Sequence, residues 1–115
     1  RSPEAIVFGS DHCDDCKMTI VDTRFGAELV TSKGKVYKFD SIECMLKFQK
    51  DRSLLDSKLF VLNSNQKKQL IPVENAAFQI DEHLHSPMGK GIMVDENQNA
   101  KGKAMSWQEL IKLLQ

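Results

Sequence analysis

The chain lacks an excess of charge of either sign, and it lacks a long apolar run. Its 115 residues hold 16 lysines and arginines against 16 aspartates and glutamates, so the formal net charge is zero. A protein that binds nucleic acid or an anionic membrane electrostatically needs a basic excess or a basic patch. The longest apolar run is only a few residues, far short of the roughly 20 that span a bilayer. These absences argue against nucleic-acid binding and against a spanning helix.

Signatures of common hydrolases are also missing. There is no HExxH motif, no Ser/His/Asp order and no paired-carboxylate pattern in the sequence, so no hydrolytic mechanism is indicated. Residues 1–10 show no signal-peptide pattern. Because the numbering begins at Arg1 and not at a methionine, we expect a processed or trimmed chain.

The cysteine count is three, and an odd number excludes a fully paired disulfide framework. Hydrophobic residues make up 41% and charged residues 28% of the chain, which is ordinary for a soluble globular protein. We expect one domain over residues 1–115, with residues 1–12 flexible. A chain of this length buries enough surface to fold without a disulfide or a metal.

A hairpin followed by a helix is predicted in the first half of the chain. Residues 27–31 and 36–39 read as two strands around a turn at Gly34. A helix follows, and we expect Asp40 to be its N-cap, with Glu43 three residues later completing a capping box.

The same pattern recurs near the end of the chain. Strands are expected at 91–94 and 103–105, with a turn at 97–102, before a helix that starts with a Ser106/Glu109 capping box. The predicted fold class is therefore α+β, with two ββα units (hairpin followed by helix) and additional strands between them. The additional strands are expected at residues 59–62, at residues 70–73 on a sheet edge because of a proline, and at residues 76–80.

Chemistry is most strongly indicated by the Cys-x-x-Cys motif formed by Cys13 and Cys16. A thioredoxin-like pair would stand at a helix N-terminus after a strand, whereas a polar loop precedes this one. We expect the flanking Asp11, Asp14 and Asp15 to raise the thiol pKa values. The residues alone leave four interpretations of this motif open: a Cu(I) site, a zinc site, a disulfide and a redox pair. Soft sulfur donors favour Cu(I).

The third cysteine and the histidines are less informative. Cys44 falls in the first turn of the predicted helix, where a small buried hydrophobe is the favoured interpretation. A zinc site would need it together with His83 or His85, and that spacing matches no finger or ribbon. His12 directly precedes the first cysteine, which makes it a further candidate ligand.

Two methionines stand beside loop residues and not in apolar stripes. Met18 lies two residues after Cys16, and Met88 lies between Pro87 and Gly89, where the backbone turns. Such a turn presents a thioether outward. If the two ββα units pack with pseudo-symmetry, the two sulfur-bearing loops come together.

These motifs resemble the NosL family. Cys16 and Met18 resemble its Cys-x-Met signature, the Phe-Asp-Ser-Ile-Glu-Cys-Met segment at 39–45 resembles its strand-to-helix segment, and Ser-Pro-Met-Gly at 86–89 resembles its late Met-Gly loop. The resemblance runs in order over residues 13–94, and the C-terminal helix fits as well. NosL proteins are accessory copper-binding lipoproteins for the maturation of nitrous oxide reductase, with a fold of paired ββα units.

The resemblance implies an extracytoplasmic Cu(I) metallochaperone, not an enzyme, that carries one Cu(I) per chain. Its partners would be nitrous oxide reductase and the membrane maturation machinery, with no nucleic acid. The location would be the periplasm or cell envelope, with membrane contact only through a lipid anchor outside this chain. The protein would be a monomer or a weak dimer. The expected metal ligands are Cys16 and Met88, completed by Met18, Cys13, His12 or His85.

One departure from the family pattern leaves alternatives open. Many members have Cys-Gly-Met with no cysteine three residues earlier, so Cys13 is a variant ligand, a disulfide partner or a subfamily feature. The alternatives are a thiol-disulfide or sulfur-chemistry enzyme that uses Cys13 and Cys16, and a structural zinc-binding interaction module.

Overall fold

The structure is a computed structural model that describes residues 3–54, 56–64, 69–86, 89–96 and 104–114, with residues 81–86 and 89–90 described by their backbone alone. Two antiparallel sheets and two helices make up this part of the chain, which confirms the predicted α+β class. The elements are β1 (Ala27–Thr31), β2 (Val36–Phe39), α1 (Ile42–Asp51), β3 (Ser57–Leu62), β4 (Leu70–Pro72), a 3-10 turn (Val73–Asn75), β5 (Ala76–Ser86), β6 (Gly89–Glu96) and α2 (Trp107–Leu114).

The first sheet has four strands in the order β2-β1-β3-β4, and every pair is antiparallel. Leu29 at its centre is aligned with Tyr37 on one side and Leu59 on the other. The predicted first hairpin is confirmed, and Gly34 adopts the positive φ of 88° that its turn requires. The predicted edge position of β4 is also confirmed, since Pro72 cannot donate to a further strand.

Helix α1 begins one residue later than the capping pattern predicts. The N-cap is Ser41, whose Oγ accepts the backbone N–H of Cys44 at 3.2 Å. The predicted Asp40/Glu43 capping box is therefore wrong. Ser41 has an extended backbone and a short hydroxyl that reaches the third helical amide, as N-caps require. Asp40 is left free to direct its carboxylate elsewhere.

The second sheet pairs β5 with β6, and α2 follows. The expected pairing of 91–94 with 103–105 is wrong, because β6 pairs with β5 and Met105 forms an isolated bridge to Phe78 of β5. The turn expected at 97–102 lies outside the described residues. The capping box of α2 is confirmed, since Ser106 N–H donates to Glu109 Oε1 at 3.0 Å and Glu109 N–H to Ser106 Oγ at 3.3 Å.

The two sheets and both helices share one hydrophobic core. Phe39 of β2 and Phe48 of α1 meet edge to face, and Phe78 of β5 packs against Trp107 of α2. Cys13 and Cys44 belong to the same buried cluster. Among the described residues, no helix is both long enough and apolar enough to cross a membrane.

The segment before the Cys-x-x-Cys motif is fastened to β1 by a buried glutamate. Glu28 is completely buried, and its Oε1 accepts the backbone N–H of Glu4 at 2.8 Å. Its Oε2 has no hydrogen-bond partner among the described residues. Burial raises the pKa of Glu28 to about 7, because a low-dielectric site disfavours the ionised carboxylate.

We expect the stability of the protein to depend on the ionisation of Glu28. The pKa of Glu28 is higher in the folded state than its usual value of 4.5. The free energy of unfolding is therefore greatest at a pH below that usual value, and it falls as the pH rises through about 7. This rise in the pKa of Glu28, from 4.5 to about 7, corresponds to a loss of roughly 3 kcal/mol at most in the free energy of unfolding. Urea unfolding from about pH 4 to about pH 8 should therefore show this loss in the wild type and not in Glu28→Gln.

Glu4→Gln is the matched control for that comparison. Glu4 donates its backbone N–H to Glu28, and the charge of its exposed side chain is only a minor contribution to the raised pKa of Glu28, so the pH profile of Glu4→Gln should stay close to that of the wild type. If the free energy of unfolding changed with pH in the same way in the wild type and in Glu28→Gln, the assignment of this pH dependence to Glu28 would be contradicted.

Candidate metal centre

Four potential metal ligands meet where the Cys-x-x-Cys loop touches the start of α1. The sulfur atoms of Cys13, Cys16 and Cys44 and one carboxylate oxygen of Asp40 all lie within 4.8 Å of one another. We call this group the thiol–carboxylate cluster. All three cysteines are free thiols, so each sulfur is available for a metal.

The loop is a tight turn that folds the second cysteine back onto the first. The N–H of Lys17 donates to the carbonyl of Cys13 at 2.9 Å, and the N–H of Cys13 donates to the carbonyl of Met18 at 2.8 Å. Lys17 takes a left-handed φ of 70°, which closes the turn. The N–H of Cys16 then points at the sulfur of Cys13, at 3.5 Å. A two-residue spacer is thus enough to place both sulfurs on one side of the loop.

Strand β2 holds this loop in place. Asp14 N–H donates to the carbonyl of Lys38 at 2.8 Å, and Asp14 Oδ2 accepts the N–H of Lys38 at 2.8 Å. The ammonium of Lys38 also binds Asp11 Oδ2 at 2.8 Å. Because β2 ends one residue before Asp40, this docking sets the two cysteines of the loop beside the strand-to-helix junction.

The junction supplies the other two members of the cluster. Asp40 is only 3% exposed, and its Oδ2 accepts the Cys16 thiol at 3.3 Å. Its Oδ1 is buried and has no hydrogen-bond partner among the described residues. Cys44 follows in the first turn of α1, whose N-cap hydroxyl binds the Cys44 amide. The positive end of the helix dipole therefore lies next to the sulfurs.

The three thiols have different acidities because their surroundings differ. A hydrogen bond from the Cys44 side chain, aided by backbone N–H groups, lowers the pKa of Cys13 to about 6 despite burial. The same hydrogen bond, together with burial, raises the pKa of Cys44. Burial raises the pKa of Cys16 to about 11. The expectation that Asp11, Asp14 and Asp15 raise the thiol pKa values is therefore wrong for Cys13, where the hydrogen bond from Cys44 dominates and backbone N–H groups assist it.

Exposure separates the cluster into an inner and an outer part. Cys13 and Cys44 are buried, whereas Cys16 is partly exposed. A metal ion or an incoming ligand therefore reaches the cluster from the side of Cys16.

The structure gathers only part of the ligand set expected from the sequence. It brings Cys13 and Cys16 together, whereas Met18 is 58% exposed on the same loop and the His12 side chain is exposed beside it. The backbone of His85 pairs with Lys90 in the second sheet, and its side chain lies outside the described residues. Met88 also lies outside them. The ligand roles of these residues stay predictions.

Two members of the cluster were not among the expected ligands. Cys44 is buried, as expected, but its sulfur also joins the two loop cysteines. Asp40 was assigned to the helix cap. The signal that points to both is their common segment, because a short strand that runs directly into a helix places Asp40 and Cys44 on the same side of the junction.

The Cys13–Cys44 hydrogen bond predicts a measurable change in acidity. Replacing Cys44 by alanine removes the donor, so the pKa of Cys13 should rise from about 6 towards its usual value of 9.0. The check is the ultraviolet absorbance of the thiolate in reduced apo-protein as a function of pH. Cys16→Ala is the control, because it keeps the backbone N–H that also donates to Cys13. If the thiolate absorbance of Cys44→Ala rises at the same pH as that of the wild type, the role of the Cys13–Cys44 hydrogen bond is contradicted.

The fold also occurs in a protein of known structure. The crystal structure of the copper chaperone NosL from Shewanella denitrificans matches this chain with a TM-score of 0.73, 21% sequence identity and coverage of 94% of each chain. No protein-family model and no curated protein sequence matches the chain. The resemblance to NosL predicted from the motifs is thus confirmed at the level of the fold: the chain folds as that copper chaperone does.

Proposed function

We propose that this protein is a Cu(I) metallochaperone whose cargo is held by the three sulfurs of the thiol–carboxylate cluster. The observation that carries this is the meeting of three free thiols, two of them buried, at one end of the first ββα unit. Thiolates are soft donors that select Cu(I) over hard cations. The shared fold with a copper chaperone supports the same function.

The acidity of the cluster suits the uptake of a soft cation. Metal binding needs thiolates, so affinity depends on which sulfurs lose their protons. Cys13 has a lowered pKa of about 6 and provides the first thiolate near neutral pH. Bound Cu(I) then favours loss of the proton that Cys16 shares with Asp40. Cys44 is the third sulfur, and it joins once its proton is displaced.

The accessibility of the cluster suits the release of that cation. A chaperone must let the ligand of a partner attack the metal, and two or three sulfur ligands leave room for this attack. Cys16 is the exposed member, so exchange should begin there. Met18, two residues away and exposed, is placed to offer its thioether during transfer. Met88, His12 and His85 remain proposed additional donors.

The recipient and the cellular location belong to the same proposal. Copper would be delivered for assembly of the copper sites of nitrous oxide reductase, with the membrane maturation machinery as a partner. The protein would act outside the cytoplasm, in the periplasm or cell envelope, as a monomer or weak dimer tethered through a lipid anchor. The motif resemblance and the shared fold support this assignment.

Removing single sulfurs should separate Cu(I) binding from stability. We expect one Cu(I) per chain in an anaerobic titration against a chromophoric Cu(I) chelator. Cys16→Ser should abolish tight binding, because it removes the accessible sulfur of the cluster. Cys44→Ala should weaken binding, because its sulfur lies in the cluster. Thr19→Ala, an exposed residue of the same loop without sulfur, should bind as the wild type does.

The same titration distinguishes the proposed function from its rivals. Circular dichroism should show that each variant keeps its secondary structure. Wild-type affinity for Cu(I) in both cysteine variants would contradict a copper site in the cluster. A disulfide between two of the three cysteines that forms rapidly and cycles with a dithiol substrate would favour the thiol-disulfide enzyme.

A further inference from the structure

The Asp40 carboxylate is not needed by a Cu(I) ion. Cu(I) is satisfied by sulfur, whereas a carboxylate is a hard donor. Yet Asp40 is 3% exposed and places one oxygen among the three sulfurs, while its Oδ1 has no partner in the described part of the chain. Burying a carboxylate without full compensation is costly. A ligand that neutralises this oxygen and the thiolates together would remove that cost.

We infer that the thiol–carboxylate cluster has a second binding mode, for a divalent cation of the zinc class, in which Asp40 is the fourth ligand. This rests on the same cluster as the proposed copper function but not on Cu(I) binding itself. Zinc takes four ligands in a tetrahedron, drawn from thiolates, imidazoles and carboxylates. Cys13, Cys16 and Cys44 with Asp40 provide such a set in full.

The spacing of the donors fits this geometry. Zn–S bonds of about 2.3 Å and Zn–O bonds of about 2.0 Å put the ligand atoms of a tetrahedron roughly 3.5–4 Å apart. The four donor atoms already lie within 4.8 Å of one another. A contraction of about 1 Å or less between donor atoms would close them around one ion.

The charge of the cluster also favours a divalent ion. With its thiols deprotonated, the cluster collects several negative charges in a buried place, and a divalent ion compensates one more of them than Cu(I) does. The remaining charge is stabilised by the N–H groups that point at Cys13 and by the positive end of α1 beside Cys44. Asp40 is therefore the residue that decides between a closed four-ligand divalent site and an open sulfur site for Cu(I).

Cobalt(II) is the probe for this mode, because its visible spectrum reports tetrahedral thiolate coordination. An anaerobic Co²⁺ titration of the reduced wild type should give that spectrum at one ion per chain, and Zn²⁺ should displace it. In Asp40→Asn the Zn²⁺ affinity should fall by about 100-fold or more, since even partners outside the coordination sphere are typically worth 10–100-fold. Cu(I) affinity in the same variant should change by less than about tenfold.

Asp15→Asn is the matched control for the change in charge. Asp15 lies in the same loop, and its carboxylate faces Lys47 at 3.7 Å, so Zn²⁺ affinity should stay near that of the wild type. An equal loss in Asp15→Asn and Asp40→Asn would overturn the inference, and so would a wild type that binds no Co²⁺.

A measurement on the wild type decides the matter if Asp40→Asn fails to fold. Zinc K-edge absorption should show three sulfur neighbours and one oxygen; a shell with imidazole, or with sulfur alone, would overturn the role of Asp40. Loss of Cu(I) binding is scored separately by chelator competition. A failed copper function and a failed divalent mode therefore give different results.

Discussion

The exchange of two hydrogen bonds between Asp14 and Lys38 is the interaction on which the candidate site depends. One joins the Asp14 amide to the Lys38 carbonyl and the other joins the Lys38 amide to the Asp14 carboxylate. They extend the edge of the first sheet into the Cys-x-x-Cys loop. Because β2 runs directly into α1, the loop is thereby fixed against Asp40 and Cys44. Cys13 and Cys16 alone would form a two-sulfur loop; docking makes them part of a four-donor cluster.

Docking also creates an electrostatic conflict that a cation resolves. Three thiols and a carboxylate share a site from which water is largely excluded, and the pKa values of the three thiols spread apart as a result. Among the three thiols, Cys13 is the strongest acid because neighbouring groups donate hydrogen bonds to it. Such a cluster favours binding of a positive ion over its own full ionisation, and the partly exposed Cys16 gives the ion a way in and out. A bound but exchangeable metal is the expected consequence.

The sequence predicted those parts of the structure that depend on local signals. The Gly34 hairpin, the edge strand ending at Pro72 and the Ser106 capping box all follow from a few neighbouring residues, and each is present. The helix start was displaced by one residue because Asp40 and Ser41 are both good N-caps. The pairing of Met105 with β5 and not β6 depends on packing over a long sequence separation, which periodicity does not report.

The site itself was predictable in part for the same reason. The Cys-x-x-Cys spacing marked Cys13 and Cys16, since both sulfurs lie on one short turn. Cys44 and Asp40 come from a segment far along the chain, and only the docking of the loop on β2 reveals that they share the site. The ligand roles expected for Met88 and His85 depend on how closely the segment around residues 85–88 approaches the cluster, and they stay predictions.

The central claim is that the sulfurs of Cys13, Cys16 and Cys44 hold the Cu(I) cargo. Copper K-edge X-ray absorption of the protein loaded anaerobically with one equivalent of Cu(I) tests it most directly. A first shell dominated by two or three sulfur neighbours is predicted for the wild type, with a changed shell in Cys44→Ala. A shell dominated by nitrogen or oxygen, or one that is identical in the wild type and in Cys44→Ala, would contradict it.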